Sequence, residues 1–304
     1  MPPELTDIQD QFALDPAQFI GIPIAIVGAV FLSLGAQFQS RGVAKVEASS
    51  QSASSGLNLR QLLSLVSRPS WVFGTLMLGL AVVFQLTSLG FSPIIVVQPL
   101  GVVALVMTAF LNARLSKVSL DRKSILSIVL CVGGVFLFVV LAAFTARDRP
   151  IDELQLTVIL VILAVVLLVF GAGFIVFRRR VRAVGYIIGA GVLYGFVATL
   201  AKVVIKRLQQ GDFEWLTLIC VAGLVAAFAL GGYFVQTAYS SGPPDLVVAG
   251  LTVVDPLIAV GIGIIVLGEA AQAPWWAMIG YVITGLIAIV GVFGLARYHP
   301  QIER

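Results

Sequence analysis

The chain of 304 residues has few of the side chains that most often carry out catalysis or hold a metal. It contains two cysteines, Cys131 and Cys220, and a single histidine, His299. Both cysteines lie inside apolar runs without metal-ligand spacing, so we expect buried packing residues and no disulfide framework. GxxxxGK[ST], GxSxG, HExxH and CxxC patterns are missing as well. These absences argue against an enzyme, a bound cofactor and an intrinsic ATP motor.

Charge is equally scarce, since 11% of the residues are charged and 59% are hydrophobic. Soluble domains rarely exceed about half apolar residues, so this composition is typical of a polytopic membrane protein. The acidic segment 1–18 lacks the basic start and small-residue cleavage site of a secretory signal. We therefore interpret the first hydrophobic run as a retained span.

Nine apolar runs approach or exceed the length of about 20 residues that a helix needs to cross the hydrocarbon core. This pattern predicts an all-α protein surrounded by membrane lipids, with spans at 19–42, 69–89, 92–114, 122–144, 155–177, 184–207, 215–240, 244–268 and 275–296. The longest connection, 43–68, is rich in serine. The other connections are short, so the helices should pack as one bundle.

The distribution of Lys and Arg predicts the orientation. With the N-terminus outside, fourteen of these residues fall on the cytoplasmic side, including the run RRRVR at 178–182, and four fall on the outer side. Cytoplasmic connections carry the excess of positive charge in membrane proteins. We expect a multi-pass plasma-membrane protein with its N-terminus outside and its C-terminus in the cytoplasm.

Two stretches of the sequence repeat. VVQPLGVVALVMTAFLNARL begins at Val96 and VVDPLIAVGIGIIVLGEAAQ begins at Val253, which places Gln98 and Pro99 opposite Asp255 and Pro256. GAVFLSLGAQFQSRGVAKV from Gly28 likewise resembles GAGVLYGFVATLAKVVIKR from Gly189. Equivalent helices are five spans apart, so the second copy would be inverted, as in many secondary transporters.

This repeat divides the chain into two four-helix repeats joined by a linking helix. The predicted units are an outer acidic segment at 1–18, a first repeat at 19–144, span 5 with a basic cytoplasmic loop at 145–183, a second repeat at 184–296 and a cytoplasmic tail at 297–304.

The motifs resemble those of the drug/metabolite transporter superfamily. SPIIVVQPLGVVALVMTAFLNARLS and VVDPLIAVGIGIIVLGEA are similar to its segment with a mid-helix proline and a terminal Leu-Gly-Glu. The nine spans, SRGVAK at 40–45 and the core of spans 2 and 3 most resemble the NIPA-like branch, whose members are associated with magnesium transport. That pattern carries an acidic residue about three positions before an Asn in span 2. Here Val82 takes the acidic position and Gln85 the Asn position.

Asp255 is the most informative site candidate because it is a carboxylate near the middle of span 8. A charge at that depth costs about 2.5–3.5 kcal/mol on insertion scales, so Asp255 should face the bundle interior or a water-filled cavity. Pro256 removes a backbone hydrogen bond, and we expect helix breaks at Pro99 and Pro256. Freed carbonyls beside a carboxylate could bind a cation or a proton. The structural alternative is that Lys202 neutralises Asp255.

Other polar residues within the spans extend the candidate pathway. Lys202 either meets an anionic group, pairs with Asp255, or snorkels to the outer headgroups. Glu269 is predicted to be a solvated helix end. Neutral side chains in apolar helices either line a pathway or join helices, with Gln98 the strongest candidate as the repeat mate of Asp255. The remaining candidates for the pathway are Gln85, Gln236, Tyr194, Gln37 and Arg41.

The sequence thus predicts a secondary transporter of a small polar solute or cation, working by alternating access with protons as a candidate coupling ion. A second hypothesis is a flippase for a polyprenyl-phosphate-linked sugar or another lipid headgroup, in which Arg41 and Lys202 would hold phosphate at opposite leaflets. A third is a scaffold or regulatory subunit without transport. Nothing points to a nucleic-acid partner, and a monomer or homodimer fits the pattern.

Overall fold

Helices make up nearly all of the described structure. The computed structural model describes residues 16–48, 67–115, 121–177, 183–211, 214–241 and 244–298. Its helices are α1 (Pro16–Ala48), α2 (Pro69–Phe91), α3 (Ile94–Val97), α4 (Val102–Leu115), α5 (Arg122–Thr145), α6 (Glu153–Phe177), α7 (Ala183–Gln210), α8 (Trp215–Ser241), α9 (Pro244–Ile265) and α10 (Trp275–Tyr298).

The prediction of an all-α membrane protein is confirmed for these described ranges. Nine helical stretches there are long and apolar enough to cross a membrane, and α3, a 3₁₀ turn and α4 together form the third of them. A helix satisfies its own backbone hydrogen bonds, which lipid cannot do, so apolar runs of this length become helices. The inverted repeat, its domain boundaries and the orientation stay predictions.

Four predicted features lie partly or wholly outside the described residues. They are most of the outer segment 1–18, the serine-rich part of 43–68, the RRRVR run at 178–182 and the end of the tail at 299–304.

The two prolines of the repeated motif have different effects on their helices. Pro99 lies in the 3₁₀ turn Gln98–Gly101, which separates α3 from α4. The break predicted at Pro256 is wrong, because α9 continues through it from Pro244 to Ile265. One internal proline removes a single backbone hydrogen bond, and the turns on either side keep the helix continuous.

Glycines let α7 and α9 approach closely beside Asp255. A Cβ atom placed on Gly191 would lie 2.6 Å from Val254 Cβ, and one placed on Gly195 would lie 2.7 Å from Ile258 Cβ and 3.0 Å from the Asp255 carbonyl oxygen. Small residues are the usual means of bringing membrane helices this close. The contact fixes the part of α9 that carries Asp255.

Replacing Gly195 with alanine should destabilise the protein by about 1–3 kcal/mol, because the added methyl group has no space and must push α9 away. Gly79→Ala is the matched control, since a Cβ there meets nothing within 4 Å. Thermal unfolding in detergent should show a lower melting temperature for Gly195→Ala alone. Equal melting temperatures for the two variants would contradict the close packing.

Candidate functional site

A cavity of about 660 Å³ lies among α1, α2, α4, α7, α9 and the 3₁₀ turn. Most of the residues that line it lie in the interior of their helices, and Gln98, Gly101 and Val102 lie in the 3₁₀ turn and at the start of α4. The lining residues are Gly28, Ala29, Leu32, Ala81, Val82, Gln85, Gln98, Gly101, Val102, Tyr194, Val248, Leu251, Thr252, Asp255 and Pro256. The cavity therefore brings together four of the predicted pathway residues: Gln85, Gln98, Tyr194 and Asp255.

Asp255 supplies the charge of this cavity. It lies midway along α9, and its Oδ1 atom is buried without a hydrogen-bond partner among the described residues. Gln98, which lines the cavity from the 3₁₀ turn, is 6% exposed. Among the described residues that line the cavity, Asp255 is the only charged one. The described lining thus combines one carboxylate with neutral polar side chains.

Pro256 adds a backbone acceptor beside this carboxylate. Because proline has no N–H, the carbonyl of Thr252, one turn earlier, lacks its usual helical donor. Thr252 itself lines the cavity, and its hydroxyl donates to the Val248 carbonyl at 2.8 Å. Oxygen ligands of the carboxylate, amide, hydroxyl and carbonyl types therefore lie around one space.

Lys202 lies outside the cavity and has anionic partners other than Asp255. Its Nζ is 2.8 Å from Glu269 Oε1 and 3.0 Å from Asp148 Oδ1, and it donates to the Ser92 carbonyl at 2.9 Å. Lys206 also pairs with Asp148. Lys202 is only 1% exposed, so the predicted snorkelling and the predicted pair with Asp255 are both wrong. The reason is that the carboxylates of Asp148 and Glu269, from two connections, bind the ammonium inside the bundle.

Glu269 is likewise not the solvated helix end that its position predicts, since it is 2% exposed. Gly268 before it adopts a φ of +66°, which glycine reaches without strain and which turns the chain back toward the bundle. Glu269 Oε1 then accepts from the Ile94 N–H at 2.9 Å and Oε2 from the Ile95 N–H at 3.1 Å. Its own carbonyl accepts from the Arg147 N–H at 2.7 Å.

We call Lys202, Lys206, Asp148 and Glu269 the outer ion cluster, because the predicted orientation puts them at the extracellular end. Sequence reasoning missed Asp148 and Glu269. The signal was a lysine deep in a span, because a buried ammonium needs anionic partners. Here they come from the connection between α5 and α6 and from the turn after α9.

The other predicted pathway residues are not among those that line the cavity. Gln236 is exposed on α8, Gln37 is half-buried on α1, and the exposed Arg41 has its guanidinium 5.8 Å from the centre of the Phe38 ring. Pro99, predicted as a helix break, borders a smaller apolar cavity of about 80 Å³ that shares Val102, Thr252 and Pro256 with the larger one. Gln236, Gln37 and Arg41 thus do not line the space that holds Asp255.

Comparison with known proteins gives a family and one relative. The sequence model of the family described as "Magnesium transporter NIPA" matches residues 17–301. An uncharacterized protein of Corynebacterium glutamicum is 29% identical over 242 residues, which cover 78% of this chain and 82% of that relative. No solved structure matches the chain significantly.

Proposed function

Because the chain belongs to the magnesium transporter NIPA family, we propose that it carries Mg²⁺ across the plasma membrane through the central cavity. Asp255 is the charged ligand in this proposal. Gln98, Gln85, Tyr194 and the Thr252 carbonyl supply neutral oxygen atoms. The transport cycle is alternating access, in which the cavity opens to one side of the membrane at a time.

The observation that carries this proposal is the charge of the cavity. Its described lining contains a carboxylate and no basic side chain, so it suits a cation better than a phosphate group. The flippase hypothesis needs Arg41 and Lys202 at the substrate. Lys202 is instead held by Glu269 and Asp148, and Arg41 is not among the lining residues.

One carboxylate is compatible with Mg²⁺ because this ion dehydrates reluctantly and usually binds through one or two carboxylates while keeping several waters. Six waters occupy roughly 180 Å³ at about 30 Å³ each, so the 660 Å³ cavity can hold a largely hydrated ion. Val82 also lines this cavity. The resembling pattern has an acidic residue at this position. With a valine there, Asp255 would bind the ion together with amide oxygens and water.

Protons are the coupling ion that we propose. A carboxyl group in a low-dielectric cavity is neutral when protonated and attracts a cation when it is not. If a proton binds Asp255 when the metal ion leaves, the carboxyl group becomes neutral. The empty cavity can then reopen to the first side of the membrane without a buried uncompensated charge. In such a cycle, the Oδ1 atom of Asp255, which has no hydrogen-bond partner among the described residues, binds the proton or the metal ion.

Purified protein in liposomes that contain a Mg²⁺-sensitive dye should take up Mg²⁺ well above the rate of protein-free liposomes. The rate should change with an imposed pH gradient. Parallel assays with Ca²⁺, a neutral amino acid and a polyprenyl-phosphate lipid test the competing substrate classes. No Mg²⁺ flux together with clear flux of one of the others would overturn the proposal.

A further inference from the structure

The outer ion cluster lies between the cavity and the predicted extracellular side. Lys202 is eight residues beyond Tyr194 along α7, which corresponds to about 12 Å at 1.5 Å per residue. Glu269 is in the turn that follows the outer end of α9. Both side chains are almost completely buried, at 1% and 2% exposed. The predicted outer end of the pathway is therefore closed by charged groups.

Glu269 joins three parts of the fold at this end. Its carboxylate binds the Lys202 ammonium of α7 and the first two N–H groups of α3, and its carbonyl accepts from Arg147 in the connection between α5 and α6. Lys202 itself donates to the carbonyl of Ser92, two residues before α3, so both members of the ion pair hold the start of α3 at this end. The Lys202–Glu269 pair thus holds the closure together.

An interruption of the third span lies between the outer ion cluster and the cavity. The 3₁₀ turn Gln98–Gly101 starts three residues after Ile95 and carries a cavity residue, Gln98. Its proline removes one backbone hydrogen bond, so the span is held less tightly at this turn than in a continuous α-helix. Movement of α3 about this turn would change the outer end and the wall of the cavity together.

The chemistry of the cluster also favours a switching role over a purely stabilising one. A buried ion pair contributes little net stability compared with apolar residues of similar size, because desolvation offsets the attraction between the charges. Ionisable groups within membrane spans are most often functional. Two of the four charged groups, Lys202 and Lys206, lie within a span, and Asp148 and Glu269 reach them from the connections. Together with α3, they form an element that can exist paired or released.

We propose that the outer ion cluster is the outer gate of the transport pathway and that the Lys202–Glu269 pair is its latch. Release of this pair lets α3 swing on the 3₁₀ turn and opens the cavity to the outside. The gate rests on the proposed transport function, but its position can be tested without measuring transport.

The test measures how fast a cavity thiol reacts from outside. Leu251→Cys, placed in a Cys131→Ala/Cys220→Ala background, puts a thiol in the cavity wall. Glu269→Gln removes the charge of the latch while Lys202 keeps Asp148 and the Ser92 carbonyl. In intact cells, a membrane-impermeant thiol reagent should label Leu251→Cys at least tenfold faster when Glu269→Gln is present. Asp10→Cys reports which face is outside.

Glu214→Gln is the matched control, because Glu214 is 51% exposed and pairs with Arg207 at the same end of the bundle, at 3.6 Å. It should change the labelling rate less than twofold. An unchanged rate in Glu269→Gln, or an equal rise in both variants, would overturn the gate. Faster labelling without any Mg²⁺ transport would leave the gate in place and overturn only the proposed function.

A cross-link tests the gate if Glu269→Gln does not fold. A Cβ on Gly263 would lie 2.5 Å from Ile94 Cγ2, which is one bond away from Ile94 Cβ. The Cβ atoms of an Ile94→Cys/Gly263→Cys pair would therefore lie within about 4 Å of each other, which is close enough for a disulfide. Oxidation should stop Mg²⁺ uptake and reduction should restore it. Equal uptake by the oxidised and the reduced protein would show that this end does not open during transport.

Discussion

Asp255→Asn is expected to lower Mg²⁺ uptake by tenfold to about a hundredfold while leaving the protein folded. The substitution keeps the size of the side chain and its ability to hydrogen-bond, but it removes the charge of the cavity. Interactions with a charged group are worth about 1.5–3 kcal/mol, which corresponds to that range of affinity. The remaining uptake should no longer respond to a pH gradient, because the group cannot carry a proton.

Stability separates this explanation from a structural role. If Asp255 neutralised Lys202, its replacement would leave a buried cation unpaired and cost several kcal/mol. Lys202 has two other carboxylates within 3.0 Å, so we expect a melting temperature equal to or slightly above that of the parent. Gln236→Ala is the control, an exposed polar residue outside the cavity lining. Normal uptake by Asp255→Asn with and without the pH gradient would contradict the assigned role.

Lys202→Met is expected to lower the free energy of unfolding by about 3–5 kcal/mol, the usual cost of breaking a buried ion pair from one side. Methionine is unbranched like lysine, so the loss is mainly electrostatic. Glu269 would be left at 2% exposure with two backbone N–H groups and no counter-charge. Thermal unfolding in detergent should show the largest shift of all the variants proposed above.

The double variant Lys202→Met/Glu269→Gln tests the cause of that shift. It removes both charges, and Asp148 keeps Lys206 as its partner. It should recover most of the lost stability, because the uncompensated carboxylate is gone. A double variant as unstable as Lys202→Met would mean that packing of the lysine stem, and not its charge, holds this end.

The spans were predictable because the bilayer imposes a length on each apolar run, and a long run needs no tertiary information to be recognised. The grouping of Gln98 and Asp255 in one cavity was predictable for a similarly simple reason. Polar side chains in the middle of a span are unfavourable in lipid, so they are expected to face the interior of the bundle. Glu269 gave no such signal. It stands in a short connection where acidic residues are usually solvated, and its burial depends on the φ of Gly268 and on groups from α3 and α7.

Pro256 shows the opposite limit of sequence reasoning. The loss of one backbone hydrogen bond was certain from the residue type, but its effect on the path of α9 was not. Whether a helix breaks at proline depends on what holds it on either side. In α9 that includes the packing of Val254 and Ile258 on Gly191 and Gly195 of α7.

The contact between Gly195 and the backbone of Asp255 has a mechanical consequence. Only the Val254 and Ile258 side chains of α9 separate it from the glycines of α7, so the two helices have little freedom to tilt independently. We therefore expect α7 and α9 to move as one rigid body, which carries both the ammonium of Lys202 and the carboxylate of Asp255. A displacement at the outer end would then reach the middle of the membrane undiminished, because no flexible joint separates the two charges.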